Sequence, residues 1–482
     1  MSRRLVLAVL CAGQLMVILD GTVVNVALPA IQEDLGMSAP ALAWVVNAYL
    51  IPFAGLLLLS GRLGDLFGRQ RVFLAGLALF TLASLLCGLA PDTGTLLAFR
   101  FLQGVGGAVA SSVTLAMVIT LFTGPRERAK ALGVYSFVQS AGGTLGLLLG
   151  GALTQLVGWH WIFFVNVPIG LAVLVLARGE LGIEEAPRAR RRLDAPGAFL
   201  VTGALMTAVY AIVGSGDHGF GSARTLGCGL AALVLLTAFL VRQARGTDPL
   251  LPPRMFRFRN VSGALGTHLL LIAGMFSFQF LAVLYMQRVL GFDEIRTGLG
   301  VMPVSLLIGA MSLFVAPRLI ARIGARRLLA VALVLIAAGL ALLGQVSADG
   351  AYVSDVFPST IPLGVGFGLA MPSLAGLAMS GATPSDSGLA SGMFNSVQQI
   401  GSALGLAVLS TLAASHTRTL RAGGTAEPSA LTEGYQLSFR IAALLVLAAL
   451  VVATAVLRDR PAPVAAPSPA GTAAPSGTAA RG

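Results

Sequence analysis

Apolar runs long enough to cross a lipid bilayer recur from one end of this chain to the other. They fall at 5–29, 41–60, 72–90, 96–122, 130–157, 161–177, 197–214, 225–241, 261–287, 298–317, 328–346, 356–381, 388–414 and 437–457. A helix rises 1.5 Å per residue and the hydrocarbon core is about 30 Å thick, so about 17–25 apolar residues suffice for one crossing. Backbone polar groups in lipid must be satisfied internally, and runs of this length do so as helices. The expected fold class is therefore an all-α integral membrane protein with fourteen transmembrane helices. Composition agrees: 11% of the residues are charged, against about 25% in soluble domains. The 59 glycines fit as well, since Gly is frequent in membrane helices.

A net charge of +12 raises nucleic acid as a partner, but the position of the charges argues for a membrane. Arg62, Arg69 and Arg71 follow the second span, and Arg126, Arg128 and Lys130 the fourth. Arg178, Arg188 and Arg190–Arg192 follow the sixth; Arg242, Arg245, Arg254, Arg257 and Arg259 the eighth; Arg318, Arg322, Arg326 and Arg327 the tenth. Only Arg224, Arg288, Arg296, Arg418, Arg421 and Arg440 fall on the other side. The positive-inside rule then places both termini in the cytoplasm. Arg3 and Arg4 before an apolar run resemble the start of a signal peptide, but no small-residue cleavage site follows promptly, so the run is kept as a helix. Cys11, Cys87 and Cys228 lie inside apolar runs without ligand spacing, which predicts neither a disulfide framework nor a metal site.

GRLGDLFGRQR (61–71) is echoed by PRLIARIGARR (317–327), with Gly68 against Gly324 and Ala321 where the first copy has Asp65. Paired halves with repeat-related loops are the sequence mark of a secondary transporter. The expected organisation is a six-helix half over 1–177, a linker with two extra membrane helices over 178–260, a second six-helix half over 261–457, and a disordered cytoplasmic tail over 458–482. No phosphate loop, nucleophile elbow or metal-ligand cluster suggests an enzyme, and a channel does not account for the repeated loop.

One carboxylate stands out. Asp20 lies about 22 Å along a helix starting at Leu5, beyond the middle of the hydrocarbon core. A charge near the centre of a membrane helix costs about 2.5–3.5 kcal/mol on insertion scales and marks function by default. Desolvation disfavours its charged form, which suits a proton carrier. A cationic substrate nearby would expel the proton, and competition for one carboxylate is the simplest chemistry of antiport. A proton crossing about 100 mV releases roughly 2.3 kcal/mol, enough for an approximately fifty-fold gradient of a neutral solute.

LDGTVVNVALP (19–29), WVVNAYL (44–50), GRLGDLFGRQR (61–71), RFLQGVGGA (100–108), WHWIFFVNVPIG (159–170) and GLASGMFNSVQQIGSALG (388–405) resemble the fourteen-helix drug:proton antiporter branch of the major facilitator superfamily. The resemblance runs from Leu5 to Leu457. It implies multidrug or antibiotic efflux coupled to protons, with no cofactor beyond the coupling ion. The partners it implies are a small-molecule substrate and membrane lipid, with no nucleic acid; the expected state is a monomer in a bacterial cytoplasmic membrane. Two positions depart: Leu147 replaces the family's usual proline in GLLLGG (146–151), and Leu66 a usual basic residue after Asp65. Leu147 leaves an uptake carrier, or a non-transporting sensor on the same fold, as alternatives, and predicts a straight fifth helix.

For the remaining residues several readings stay open. Arg100 is either an interfacial anchor that snorkels outward or, as the resemblance implies, a residue of proton transfer, one that would lower the pKa of Asp20 if the two meet. Gln103, three residues on, shares its face and either lines the cavity or bonds a neighbouring helix. Asp65, Gly68 and Arg69 form either a solvated turn or, by resemblance, a conformational latch, with Asp65 capping the helix that begins near Ser387 and Gly388 and Arg69 facing Glu127. Gly142, Gly146 and Gly150 allow close helix packing; the resemblance places this segment between the halves. Asn25, Asn47, Gln279, Tyr285, Asn395, Gln398 and Gln399 are polar enough to line a cavity or to bond neighbours. His268 reads as a hydrogen-bonded structural histidine, Asp355 as an outer-edge acid, and Phe276, Phe278 and Phe280 as either substrate-packing or lipid-facing.

Overall fold

The computed structural model describes residues 3–122, 125–178, 194–219, 221–246, 249, 253–379 and 387–458. The expected tail, the arginine-rich stretch after the sixth span and the loop carrying Asp386 lie outside them. Among the described residues there is no strand. The helices are α1 (Arg3–Leu35), α2 (Ala39–Phe67), α3 (Arg69–Gly88), α4 (Thr93–Leu121), α5 (Pro125–Val157), α6 (Trp161–Phe164), α7 (Asn166–Ala177), α8 (Ala195–His218) and α9 (Ala223–Arg245). They continue with α10 (Arg259–Arg288), α11 (Glu294–Ala310), α12 (Ala316–Ile323), α13 (Ala325–Leu343), α14 (Phe357–Met379), α15 (Ser387–Ala422) and α16 (Glu427–Val456). Eleven helices among the described residues are long and apolar enough to cross a membrane, and three further apolar stretches, at Ala41–Leu57, Leu148–Val157 and Trp161–Ala177, are shorter.

Local chemistry sets several helix starts. Asp92, Asp194, Ser222 and Asp293 each accept a hydrogen bond from a backbone N–H of the first turn that follows, satisfying a donor that the helix itself cannot. Gly68 and Gly324, the aligned positions of the sequence repeat, each have positive φ (93° and 84°) and join α2 to α3 and α12 to α13 without a loop. That backbone region favours glycine. The repeat is thus a structural one. α5 runs unbroken over its 33 residues.

α1–α7 form one packed group, in which α4 lies against α2 and α3, and α1 against α5, α4 and α7. α10–α16 form another, built on α10 with α15 and α16 and on α13 with α14. α8 and α9 pair with each other, and α8 touches α2 of the first group and α15 of the second. Gly55 of α2 makes that first contact close, because a Cβ there would lie 2.1 Å from Thr202 Oγ1. The groups meet directly through α2 and α15, α5 and α11, and α1 and α10. At the start of the α8–α9 pair Asp194 accepts from Arg242 Nε (2.5 Å), Gln243 Nε2 (2.8 Å) and Gly197 N–H (3.0 Å). Burial opposes ionisation of Asp194, but these three donors outweigh it and hold its carboxyl below the ordinary carboxylate value.

Candidate functional site

Asp20 is fully buried on α1 and accepts hydrogen bonds from α4 and α7. Arg100 of α4 donates from Nη1 to its Oδ2 at 2.6 Å. Gln103, one turn further along α4, donates from Nε2 to Oδ1 at 2.7 Å. Asn166, the first residue of α7, donates from Nδ2 to the same oxygen at 3.0 Å. Arg100 also donates from Nε to the Val45 carbonyl of α2 (3.0 Å) and from Nη1 to Gln103 Oε1 (2.6 Å), and Gln103 Nε2 approaches Ser84 Oγ of α3 at 2.7 Å. Above the guanidinium lie two rings, Tyr49 at 4.6 Å and Phe163 at 5.6 Å from Cζ. Tyr49 is itself tied to α1 through a bond to the Val17 carbonyl (3.3 Å).

The interfacial-anchor reading of Arg100 is overturned. Its side chain is 1% exposed, because the position that lets it reach outward also faces an anionic partner with no other cation beside it. Charge-assisted hydrogen bonds of this kind are the strong ones, and burying either member alone would be costly. Gln103 resolves to the inter-helix bond. Asp20 has both oxygens occupied by protein donors, so a cationic substrate does not share its carboxylate in this form.

Asn166, Ser84, Tyr49 and the Val45 carbonyl were not singled out by sequence reasoning. For Asn166 a signal exists: it is an amide in an apolar stretch, two residues before Pro168, where the chain passes from α6 to α7. The other three are ordinary residues in apolar helices and carry none.

The glycines of α5 pack within the first group. A Cβ at Gly142 would press on Ile18 (2.9 Å), one at Gly146 on Thr22 Oγ1 (1.9 Å), and one at Gly150 on the Val23 carbonyl (2.6 Å). All three belong to α1, so these glycines pack within the first group, while the segment that carries them also meets α11 of the second. The residue that does face the other group is Gly151, whose Cβ would lie 2.4 Å from the Glu294 carbonyl of α11. A rotation of about 100° per residue separates the two faces.

His268 is buried and stacks on Phe394 of α15 (centroids 3.8 Å apart, planes 19°), whose backbone is also its nearest hydrogen-bonding group. Phe278 and Phe280 are buried and Phe276 is half-buried, so the first two do not face lipid. Tyr285 is committed within the second group, donating to the Ser347 carbonyl at 2.7 Å. Asn25 and Asn47 are buried with both amide atoms unpaired. Gln279, Gln398 and Gln399 are half-buried, and Asn395 is exposed. One oxygen of Asp355 is buried and unpaired. Glu127 pairs with Arg3 at 3.6 Å. The side chains of Asp65, Ser387 and Gly388, and so the capping expectation, lie outside the described residues. Among the described residues no group of three or more His, Cys, Asp or Glu could hold a metal ion.

A family model described as Major Facilitator Superfamily matches residues 10–406. The chain belongs to that superfamily. Membership makes it a multi-pass membrane transport protein and not an enzyme. The puromycin resistance protein of Streptomyces alboniger is 42% identical over 376 residues, covering 76% of this chain and 73% of that one. The cephamycin export protein of Amycolatopsis lactamdurans is 39% identical over 376 residues, covering 78% and 77%. Among solved structures, an auto-inhibited peptide transporter of the POT family superposes with a TM-score of 0.69 at 18% identity, covering 95% of this chain and 99% of that one; this likeness concerns the fold. In the superfamily's terms, the Asp20 cluster is built entirely within the first group of helices.

Proposed function

We propose that the protein is a proton-driven exporter of small hydrophobic or cationic drugs or antibiotics. It works by alternating access across a bacterial cytoplasmic membrane, with fourteen spans and both termini inside. The observation that carries the reading is the buried Asp20–Arg100 pair. It is a titratable centre, assembled from four helices and sealed from water, where a purely structural role would be served by apolar residues at no desolvation cost. The puromycin resistance and cephamycin export relatives supply the direction and the substrate class.

Asp20 and Arg100 cancel in charge. A proton arriving at Asp20 leaves the Arg100 charge facing the neutral acceptors Gln103 and Val45, so uptake of the proton favours any rearrangement that gives Arg100 another partner or water. α1, α2, α4 and α7 all contribute to the cluster, and a change there is passed to the helices that move. The unpaired amides of Asn25 and Asn47 line the substrate path in this scheme.

Everted membrane vesicles containing the protein provide the test, with ethidium and puromycin as probes. An acid lumen should drive both inward, a protonophore should abolish the uptake, and Asp20→Asn should remove it at matched expression. Movement out of the lumen together with protons would favour the uptake carrier that Leu147 suggests. No pH-driven movement at all, or full activity in Asp20→Asn, overturns the proposal.

A further inference from the structure

Six arginines lie on the side of the membrane that the positive-inside rule leaves poor in charge, and Arg288 has a use there that the transport site does not absorb. It is the last residue of α10, and its Nη2 donates to Gln32 Oε1 near the end of α1. Gln32 is oriented for this by its own chain. α1 ends at Leu35, Gly36 turns the backbone with φ +59°, and the Met37 carbonyl comes back to accept from Gln32 Nε2 at 2.8 Å. That bond fixes which end of the amide is left over. An arginine has only donors to offer, and the free end is the acceptor. Beside it Gln287 Nε2 donates to the Val26 carbonyl of α1 at 3.1 Å. The same end of α10 is anchored in turn to the second group, because Tyr285 donates to the Ser347 carbonyl and stands edge-on to Tyr435.

We propose that Gln32, Gln287 and Arg288 form a latch that holds α1 and α10 together at the end of the molecule remote from Arg3 and Arg458. As positioning residues they set how much of the time that end is closed. The inference rests on the alternating-access reading. Two properties suit the cluster to a contact that must open. Arg288 meets a neutral amide here, a weaker partner than a carboxylate. Gln287 Oε1 is buried without a partner, an acceptor that regains water when the helices part, so closure carries its own restoring tendency. Two hydrogen bonds and one unsatisfied acceptor make a balanced contact.

The test uses the full chain in detergent and in liposomes, with Cys11, Cys87 and Cys228 replaced by alanine and spin labels at positions 33 and 296. These exposed positions flank the latch on α1 and α11, and their separation is read as a distance distribution by pulsed electron resonance. The parent should give one short distance. Arg288→Ala and Gln32→Ala should each raise a longer component roughly three- to tenfold, the shift that loss of one or two such bonds corresponds to. Gln32→Glu gives up the bond to the Met37 carbonyl but makes the contact with Arg288 a charge-assisted one, the stronger of the two. It should therefore do the opposite, sharpening the short distance and slowing efflux. A merely destabilising substitution would not tighten the structure, so this variant keeps the test decisive if an alanine variant folds poorly. Unchanged distributions in monodisperse Gln32→Ala and Arg288→Ala protein, or a longer distance in Gln32→Glu, overturn the latch. The distances are read without any transport. If they shift as stated while the parent shows no pH-driven efflux, the latch stands and the exporter reading falls; if efflux is present and the distances do not move, the latch falls alone.

Discussion

Arg100 makes two demands on its surroundings, a counter-charge and a lid, and the chain supplies both from different helices. Removing Asp20 leaves a buried cation with amide and carbonyl acceptors only, and breaking a buried pair in this way costs about 3–5 kcal/mol. Asp20→Asn and Arg100→Gln should each lower the melting temperature in detergent, whereas the double variant should recover much of the loss without recovering pH-driven efflux. Additive losses in the double variant would mean that the two side chains are not coupled. Asp20, Arg100 and Gln103 were legible in the sequence because ionisable or amide groups in an apolar run stand out against their neighbours, and α4 periodicity puts the latter two on one face. Ser84, Tyr49 and the Val45 carbonyl were not, since their role depends on which helix lies opposite. The stacking of His268 on Phe394, 126 positions away along the chain, was hidden for the same reason.

A helix that packs on two sides is read wrongly if its faces are rotated by one residue, and α5 is such a helix. Gly150→Ala puts a methyl 2.6 Å from the Val23 carbonyl of α1, where backbone must move. Overpacking of this kind typically costs about 1–3 kcal/mol, so the melting temperature should fall. Gly151→Ala meets the Glu294 carbonyl of α11 at 2.4 Å, across the contact between the two groups. There the strain is relieved by separating the groups, and the expected result is a near-parental melting temperature with a longer distance between positions 33 and 296. Equal thermal losses in the two variants would show that both faces are permanent contacts. At the α8–α9 pair, Asp194→Ala removes three hydrogen bonds. Arg242 is partly exposed, so solvent screens its share, and the loss at neutral pH should be about 1 kcal/mol. The folded carboxyl is held below its ordinary value of about 3.9, so its contribution is complete above that pH and is lost as the pH falls through the lowered value. The gap in melting temperature between parent and variant should therefore close in acid; a gap that does not narrow as the carboxyl is protonated would point to packing in place of charge.

At the scale of the whole molecule, run length carried the all-helical membrane fold, because lipid penalises unsatisfied backbone and leaves few alternatives to helices. The arrangement of the groups was less legible, since no periodicity in α8 reveals that it touches both α2 and α15. Orientation is open to a direct measurement. A single cysteine at Gly221, between α8 and α9, should react with an impermeant reagent in intact cells, and one at Gly246, after α9, only once the membrane is opened; the reverse pattern would invert the topology. Alternating access requires the two groups to rock, yet α8 is in contact with both. Thr202 sits in the notch left by Gly55, which keys α8 to α2 as a tooth is keyed to a rack. Under the proposed alternating access, relative travel would be taken up at the face where α8 meets α15. The α8–α9 pair would be a bearing: it would ride with the first group while the second glides along it.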